Sequence, residues 1–392
     1  MNLIPRNIEP VVQELARQYP VITITGPRQT GKTTLVKKLF SDKTYFNLEN
    51  PDLREMAASD PRAFLQAAKN GAILDEIQRV PELLSYLQEI VDNSMQKGQF
   101  ILTGSNQFSL LSNISQSLAG RTVLLKLLPL SISELNQKID SYSTDDLIFH
   151  GFYPGIYKDD LNPNIAYRSY YETYLERDLR QLIHVKDLLL FQKFVRLCAG
   201  RIGQIFNASQ LSSEVGVSVN TIKSWLSILQ ASYVITLLPP YFENIKKRLI
   251  KSPKLYFYDV GLATYLLGIE RPEQLARDPL RGALFENMIV MELIKHRFNQ
   301  AMDANLYFFR DLHQNEVDIV FKQGSSFSIA EVKSAQTFST TFLKSLKYFK
   351  KLFGERVKKQ FVVYDGTLEQ TIQDVNVVNY RHLAEVFFES KS

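Results

Sequence analysis

The chain has 392 residues, too many for one ordinary hydrophobic core, so we expect two or three domains. Its hydrophobic content of 45% and charged content of 22% are those of a globular protein, and a net charge of only +5 excludes a global electrostatic argument for nucleic-acid binding. The N-terminus lacks the apolar core of a secretory signal, no apolar run approaches the ~18 residues of a membrane helix, and a single cysteine, Cys198, excludes an internal disulfide, so we expect residence in the reducing cytoplasm without membrane contact.

Short apolar strands alternate with helical patterns from residue 1 to about residue 140. This alternation predicts an α/β fold with a parallel sheet and helices on both faces. The expected strands lie near residues 21–25, 43–48, 71–75, 99–103 and 122–127. Parallel sheets place ligand-binding groups at the carboxyl ends of their strands, and three polar motifs of this region follow strands in that way.

A complete phosphate-binding loop of the form GxxxxGK[ST] follows the first strand and precedes a helix. Glycines let backbone N–H groups turn toward a phosphate, and the helix N-terminus adds a partial positive charge. Lys32 can reach the β- and γ-phosphates of a nucleotide, and the Thr33 hydroxyl can bind magnesium. The alternative is a glycine turn with an exposed lysine. The residues that we expect to contact ATP from this loop are Gly26, Pro27, Arg28, Gln29, Thr30, Gly31, Lys32, Thr33 and Thr34.

Two adjacent acids, Asp75 and Glu76, stand at the end of the third expected strand. In phosphate-loop ATPases the first acid of such a pair holds magnesium and the second polarises the attacking water, so we assign Asp75 to the metal and Glu76 to catalysis. The alternative is a pair of acids that only opens a loop. The next strand ends in Ser105 and Asn106, and either side chain could sense the γ-phosphate or orient the water, or only cap the strand.

A helical period without glycine or proline extends from Tyr167 to Leu179. It predicts a connecting helix packed between domains, within a helical lid or linker over residues 141–200. Arg177 and Arg180 in this stretch are either contacts to another subunit or solvated charges.

Residues 207–226 have the pattern of a helix, a tight turn at Gly216 and a second helix with Ser218 as its N-cap. A following apolar stretch and the basic segment 244–251 complete a predicted winged helix-turn-helix. Such a module binds DNA in many proteins, and it also serves ATPases as a lid or as a protein-contact surface. If it binds DNA, the residues that would face the groove are Asn220, Thr221 and Lys223.

The C-terminal region has the pattern of a separate α/β unit, with a helix beginning near residue 282 and strands at 306–310, 316–321 and 328–333. Alternate residues of a strand share a face, so Glu331 and Lys333 project together, and Asp318 on the neighbouring strand can meet Glu331 around a divalent cation. Lys333 would orient the attacking water, and Glu286 would complete the site from the helix. This order is typical of a metal-dependent nuclease. The alternative is a solvated strand face with an ordinary salt bridge.

These motifs resemble those of a family of bacterial and archaeal AAA-type ATPases that have a winged-helix segment and a C-terminal domain similar to PD-(D/E)xK nucleases. The most specific segments are 26–35, 74–78, 102–105, 118–121, 151–154, 174–178 and 282–287. The resemblance implies an AAA+/STAND-like fold with ATP and Mg²⁺ as cofactors. It also makes a homo-oligomer one expectation, with Arg121 as either the arginine that completes a neighbour's site or part of a structural salt bridge. Many relatives lack the nuclease acids, whereas this chain keeps Glu286, Asp318, Glu331 and Lys333.

Together the patterns and the resemblance divide the chain into four parts. They are an AAA-type P-loop ATPase domain (1–140), a helical lid or linker (141–200), a winged-helix segment (201–275) and a restriction-endonuclease-like domain (276–392). Our first hypothesis is an ATPase whose nucleotide state controls DNA binding or metal-dependent DNA cleavage. The second is a nucleotide-switched regulator that binds DNA or protein and uses the nuclease-like fold as an inactive scaffold.

Overall fold

The computed structural model describes residues 3–68, 70–94, 96–105, 114, 117–176, 188–242 and 252–388. In these ranges the chain forms an α/β protein with a five-stranded sheet, a six-stranded sheet and a two-stranded sheet. Within the same ranges, none of the helices is both long and apolar enough to cross a membrane.

The N-terminal region alternates strands and helices, as the sequence predicts. In chain order its elements are α1 (Glu9–Ala16), β1 (Val21–Thr25), α2 (Lys32–Leu39), β2 (Thr44–Asn47), α3 (Pro51–Ser59), α4 (Pro61–Gln66), β3 (Ala72–Asp75), α5 (Leu83–Ser94), β4 (Phe100–Gly104), β5 (Thr122–Lys126) and α6 (Ile132–Leu135). Local chemistry sets two of the helix starts. The Asn50 and Asp60 side chains accept backbone N–H bonds, and a proline at the first helical position follows each of them.

The first sheet is parallel, with the strand order β2-β3-β4-β1-β5. All five residues of β1, which lies between β4 and β5, are buried, because helices cover both faces of the sheet. Val12 and Val36 pack with Ile24 on one side, while Leu83 packs with Leu102 on the other. Since neighbouring strands run in the same direction, the loops after β1, β3 and β4 meet at one edge.

The middle region is mainly helical. Its elements are α7 (Thr144–His150), α8 (Pro154–Lys158), α9 (Pro163–Tyr170), a π-helix (Tyr171–Glu176), α10 (Leu188–Ala199), α11 (Ala208–Val215), α12 (Val219–Ala231), β6 (Ile235–Leu238), β7 (Lys254–Phe257) and α13 (Val260–Leu266). The connecting helix expected from Tyr167 onward therefore starts earlier, at Pro163, and changes to a π-helix at Tyr171. Arg177 and Arg180 lie outside the described residues.

The helix–turn–helix pair has the local geometry that the sequence predicts. Gly216 ends α11 in the left-handed region at φ 89°, a conformation that glycine adopts without strain. The Ser218 side chain accepts the Thr221 N–H and so caps α12. β6 and β7 follow as an antiparallel pair. The basic segment 244–251 lies outside the described residues, so a complete winged helix stays a prediction.

The C-terminal region contains the six-stranded sheet. Its elements are α14 (Arg281–Asn299), β8 (Leu306–Arg310), β9 (Glu316–Gln323), β10 (Ser326–Lys333), α15 (Lys344–Phe353), β11 (Val357–Tyr364), β12 (Gln370–Ile372), β13 (Val375–Asn379) and α16 (Leu383–Phe387). The sheet is mixed, with the order β12-β13-β11-β10-β9-β8 and parallel pairs at β10–β11 and β11–β13. Helices α14 and α15 pack against its two faces.

Helix α14 is longer and more deeply buried than the expected amphipathic helix near residue 282. It runs from Arg281 to Asn299, and its buried residues include Asn287, Glu292 and Lys295. Each of these buried polar side chains has a partner elsewhere in the chain: Asn287 accepts the Phe257 N–H, Glu292 accepts the Ile132 N–H, and Lys295 donates to Leu130 O. Helix α14 therefore contacts the N-terminal region, the middle region and the C-terminal sheet.

Backbone hydrogen bonds join the middle region to the C-terminal sheet. Phe308 of the edge strand β8 receives a bond from Tyr241 N at 2.6 Å and donates one to Pro239 O at 3.1 Å. The Asn287 side chain of α14 exchanges two further bonds with the backbone of Phe257, at 2.7 and 3.0 Å. These contacts place β7 alongside α14, beside the acidic residues of the C-terminal unit.

Candidate functional site

The phosphate-binding loop lies between β1 and α2, at the edge where the parallel strands end. Gly26 has φ 150°, and a Cβ atom at this position would lie 2.1 Å from Leu127 O, so only glycine fits. Gly31 is left-handed at φ 89° and forms the N-cap of α2. Because glycine has no side chain to bond the first N–H groups of the helix, these donors can face a phosphate.

Lys32 folds back over this loop. Its Nζ donates to Gly26 O at 3.0 Å and to Pro27 O at 2.7 Å. Burial disfavours the ammonium form and lowers the pKa of Lys32 to about 8. A phosphate group would offer this partly desolvated charge a stronger partner than two neutral carbonyls.

Thr33 and Asp75, the two residues expected to hold magnesium, lie in direct contact. The Thr33 hydroxyl donates to Asp75 Oδ2 at 2.8 Å. The Asp75 carboxylate also accepts from the Tyr45 hydroxyl at 2.7 Å and from the Thr103 hydroxyl. Hydroxyl and carboxylate oxygens are the ligands that Mg²⁺ prefers, and Mg²⁺ at a nucleotide commonly binds one or two protein groups together with phosphates and water. The pair therefore fits this cation.

Glu76 stands beside the pair, in a left-handed backbone conformation at φ 57°. Its carboxylate accepts from the Ser105 hydroxyl at 2.9 Å and from the Gln78 amide. The Glu76 N–H donates to Thr103 Oγ1 at 3.3 Å. A non-glycine residue at positive φ costs conformational energy and is frequent at functional sites. Ser105 directly follows β4, at the carboxyl end of the sheet, as the sequence predicts. Asn106 lies outside the described residues.

A cavity of about 950 Å³ opens in front of these groups. The loop residues Arg28, Gln29, Gly31, Lys32, Thr33 and Thr34 line it together with Glu76. The middle region closes its far side with Pro154, Gly155, Lys158, Asp159 and Thr173. The volume is in the range of small-molecule and cofactor sites, and it lies between two regions of the chain.

A second, smaller cavity of about 80 Å³ adjoins the first and shares Gly31, Thr34, Pro154 and Lys158 with it. Its wall includes the apolar side chains of Leu3, Ile4, Leu35 and Leu130. Arg6 stabilises this corner because its guanidinium donates to Thr30 O and to Leu128 O, both at 2.7 Å. Thr30 is therefore a support of the loop from within, since its own hydroxyl donates to Pro27 O at 2.9 Å.

Sequence reasoning missed three residues of this site. Tyr45 and Thr103 bind Asp75, and Arg6 holds the loop carbonyl of Thr30. Thr103 and Tyr45 lie on the strands β4 and β2 that flank β3, so strand adjacency was the signal that could have found them. Arg6 gives no such signal, because the chain end reaches the loop only in the folded molecule.

The four residues expected to form a nuclease site are brought together in part. Lys333 Nζ lies 2.5 Å from Glu331 Oε1 and 3.9 Å from Asp318 Oδ2. Glu286 joins them through Lys254, whose Nζ lies 2.9 Å from Glu286 Oε1 and 3.9 Å from Asp318 Oδ1. Burial and the Asp318 carboxylate raise the pKa of Glu331 above its ordinary range.

The donor set does not fit a divalent cation in this arrangement. Among the residues that the structure describes, no group of three or more His, Cys, Asp or Glu side chains is placed to hold a metal ion. The oxygens that would bind one are directed instead at two ammonium groups, those of Lys254 and Lys333. Lys254 was missed at the sequence level, although a lysine within an apolar strand was a usable signal.

Arg121 forms a bidentate ion pair with Asp92, with distances of 2.6 Å and 2.8 Å. It immediately precedes β5 and therefore lies at the amino end of the sheet, opposite the phosphate-binding loop. This is the structural salt bridge that was one of its two expected roles. A contact to a neighbouring subunit stays a prediction.

Three family models match successive parts of the chain. An AAA domain matches residues 18–136, and two domains of unknown function match residues 141–273 (DUF8612) and 281–383 (DUF4143). An uncharacterized protein of Mycobacterium tuberculosis is 33% identical over 306 residues, which cover 76% of this chain and 67% of that protein. The chain belongs to this family of AAA-domain proteins.

More distant relatives of this AAA-type protein match along most of its length. An uncharacterized protein of Methanocaldococcus jannaschii is 22% identical over 402 residues, covering 93% of this chain and 86% of that protein. Among solved structures, the Walker-type ATPase of Pyrococcus abyssi aligns with a TM-score of 0.46 and 15% identity, covering 67% of this chain and 96% of that one. The AAA-domain match spans the five-stranded parallel sheet and its loop, so this region is an AAA-type ATPase domain.

Proposed function

We propose that the chain binds ATP with Mg²⁺ in the 950 Å³ cavity and hydrolyses it. The observation that carries this proposal is the contact of Thr33 with Asp75 at 2.8 Å, with Glu76 beside it at the same strand end. The α2 N-terminus and Lys32 would hold the β- and γ-phosphates, and Thr33 and Asp75 would hold the cation. Bound Mg²⁺ supplies charge neutralisation of the phosphates.

Glu76 is the residue that we propose to polarise the attacking water. Its carboxylate lines the cavity, and bonds from Ser105 and Gln78 hold it at the strand end. A positioned carboxylate that accepts a proton from water contributes typically 10²- to 10⁴-fold to a rate. The nucleotide base would lie at the side of the large cavity that adjoins the apolar side chains of Ile4 and Leu130, next to Gly31 and Thr34.

We further propose that nucleotide state is transmitted to the middle region. The Thr25 hydroxyl, directly before the phosphate-binding loop, lies 2.8 Å from the Tyr233 hydroxyl, which follows the helix–turn–helix pair. The cavity also includes Lys158 and Thr173 of the middle region. A ligand in that cavity would contact both regions at once, so it would favour one arrangement of them. On this basis the protein acts as a nucleotide-switched binding protein.

DNA is a candidate partner of this binding protein, and the helix–turn–helix pair is the observation that favours it. Asn220 and Lys223 are exposed near the start of α12, and Thr221 is partly exposed. In DNA-binding proteins of this type the start of the second helix contacts the bases. Lys223→Glu should weaken DNA binding in a salt-dependent way if this surface is used, and gel-shift titrations with and without ATP would measure the change.

Nucleotide binding and turnover test the main proposal. We expect Lys32→Ala to lower ATP affinity at least about 100-fold, since it removes charge-assisted bonds from a desolvated site. Lys97→Ala is the matched control, because Lys97 is exposed in the loop before β4. Equal ATP binding by the wild type and Lys32→Ala, measured by calorimetry, would refute the proposed site.

Cleavage of DNA by the C-terminal unit is the competing form of the proposal. Linear, supercoiled and single-stranded DNA would be incubated with Mg²⁺ or Mn²⁺, with and without ATP. The wild type would be compared with Lys333→Ala and Glu331→Ala. Cutting that both substitutions abolish would establish a nuclease, and a difference in cutting with and without ATP would show that the ATPase domain controls it. Intact DNA together with ATP turnover would support the nucleotide-switched binding protein.

A further inference from the structure

A buried lysine of the middle region lies inside the acidic cluster of the C-terminal unit. Lys254 is on β7 and is 2% exposed. Its Nζ lies 2.9 Å from Glu286 Oε1, 2.5 Å from Glu316 Oε1 and 3.9 Å from Asp318 Oδ1. Three carboxylates, from α14 and β9, thus converge on one ammonium group.

Two further oxygens of this cluster, one on Asp318 and one on Glu316, also have partners. Asp318 Oδ2 accepts the Val332 N–H at 2.8 Å, and Glu316 Oε2 pairs with Arg310 at 3.2 Å. Across the strand, Glu331 binds Lys333 at 2.5 Å and the Ser345 hydroxyl at 2.6 Å. The Val332 N–H and the Ser345 hydroxyl are neutral, but Lys254, Arg310 and Lys333 are positively charged. A divalent cation would have to compete with these three charges for the carboxylates, and they would repel it at short range.

The position of Lys254 is fixed by its strand. The Lys254 backbone pairs with Leu238 in the β6–β7 ladder and forms an isolated β-bridge with Ile205. Further along β7, the Tyr256 hydroxyl donates to Glu286, and Asn287 bonds both backbone groups of Phe257. The strand that carries the lysine is therefore attached to the helix that carries Glu286. The pairing of β7 with its neighbours therefore determines where the Lys254 ammonium lies.

We propose that Lys254 takes the place of the divalent cation in this cluster, so that the cluster is an ion-paired joint between the middle region and the C-terminal unit and not a metal centre. An ammonium supplies a +1 charge without a metal ion, and it offsets the mutual repulsion of the three carboxylates that converge on it. The joint attaches the C-terminal sheet to β7. This inference is independent of ATP hydrolysis.

Mn²⁺ binding to the full-length, nucleotide-free chain tests the proposal. Free Mn²⁺ is measured by electron paramagnetic resonance during titration. All proteins carry Asp75→Asn, so that the nucleotide site contributes no Mn²⁺ binding. The background protein is compared with variants that also carry Asp318→Asn, Lys254→Met or both substitutions. A further variant with Lys358→Met is the control, because Lys358 is exposed on β11 of the C-terminal sheet.

We expect the background protein and its Asp318→Asn variant to give the same titration curve. Lys254→Met should gain a Mn²⁺ site that the added Asp318→Asn removes, while Lys358→Met should gain none. Binding by the background protein that Asp318→Asn abolishes would overturn the proposal. A folded Lys254→Met protein that gains no site would overturn it as well.

Loss of Lys254 leaves carboxylates buried without a counter-ion, so the variant could fail to fold. Circular dichroism would show this before the titration. In that event the comparison of the background protein with Asp318→Asn still decides, because a native metal centre would appear as Asp318-dependent Mn²⁺ binding in a chain that keeps its lysine.

Discussion

The strand ends of the two large sheets bring together the same residue types, lysine and carboxylate, with opposite results. At the first sheet, Lys32 bonds two neutral carbonyls, and Asp75 accepts from hydroxyls only. At the second sheet, Lys254 and Lys333 bond carboxylates directly. A charge that is held by neutral partners remains available to an ionic ligand, whereas paired charges satisfy each other. The composition of a cluster therefore does not decide whether it binds a ligand. The pairing within it does.

Among the substitutions that test this comparison, Glu76→Gln in the first site should have the largest effect. Glu76→Gln keeps the shape and the bonds from Ser105 but removes the charge that accepts a proton, so ATP should still bind while hydrolysis slows about 100- to 10,000-fold. Single-turnover hydrolysis of radiolabelled ATP measures the step. The exposed Glu82→Gln is the control. Wild-type rates in Glu76→Gln would show that the catalytic role was assigned wrongly.

At the second sheet, the two lysines should differ in their contribution to stability. Lys254→Met leaves buried carboxylates unpaired and should lower the free energy of unfolding by about 3–5 kcal/mol. The Lys333 side chain is 34% exposed, so Lys333→Met should cost about 1 kcal/mol or less. Urea unfolding followed by circular dichroism distinguishes the two variants. Equal losses would contradict the view that Lys254 is the central cation.

The lowered pKa of Lys32 predicts that ATP affinity at the first site depends on pH. Burial lowers this pKa to about 8, so the ammonium that binds phosphate predominates at pH 7, is half lost near pH 8 and is mostly lost at pH 9. We expect ATP affinity to be about tenfold lower at pH 9 than at pH 7. Calorimetric titrations across this range, repeated with Lys32→Met, test the assignment. A decline of the same size in Lys32→Met would attribute the effect to another group.

The smallest expected effect lies at Tyr45. Tyr45→Phe removes the 2.7 Å hydrogen bond to Asp75 and leaves the Thr33 and Thr103 bonds in place. A bond of this kind contributes about 0.5–1.5 kcal/mol, so the affinity for Mg·ATP should fall about two- to tenfold. Titration with and without Mg²⁺ separates a magnesium effect from a general one. A loss that is independent of Mg²⁺ would place Tyr45 in the support of the sheet only.

The parallel sheet and its loop were predictable because their causes are local. A buried strand is a short apolar run, and the loop needs Gly26 and Gly31 for backbone conformations that other residues avoid. Strand direction then brings Asp75 and Ser105 to the edge where Lys32 lies. The helix pair around Gly216 was predictable for the same reason, since Ser218 caps the helix that it starts.

The second site was predicted only in part, because its central cation, Lys254, comes from another region of the chain. The spacing of Asp318, Glu331 and Lys333 follows from the period of a strand and the pairing of neighbours. Glu286 was placed nearby by the order of elements, but its partner is Lys254, on a strand of the middle region. Glu316 was seen as one acid of an alternating strand and given no role.

The sequence by itself determined the strands of the first sheet, the phosphate-binding loop and the acids near it, because each depends on residues close together in the chain. Only the tertiary structure decided which charges face one another. Arg6 reaches the loop carbonyl of Thr30, and Lys254 enters an acidic cluster, across separations that no periodic pattern records. Coulomb interactions depend on distance in space and on the loss of water, and both are set by packing. For this reason the same lysine and carboxylate motifs form a candidate ATP site in one sheet and an ion-paired joint in the other.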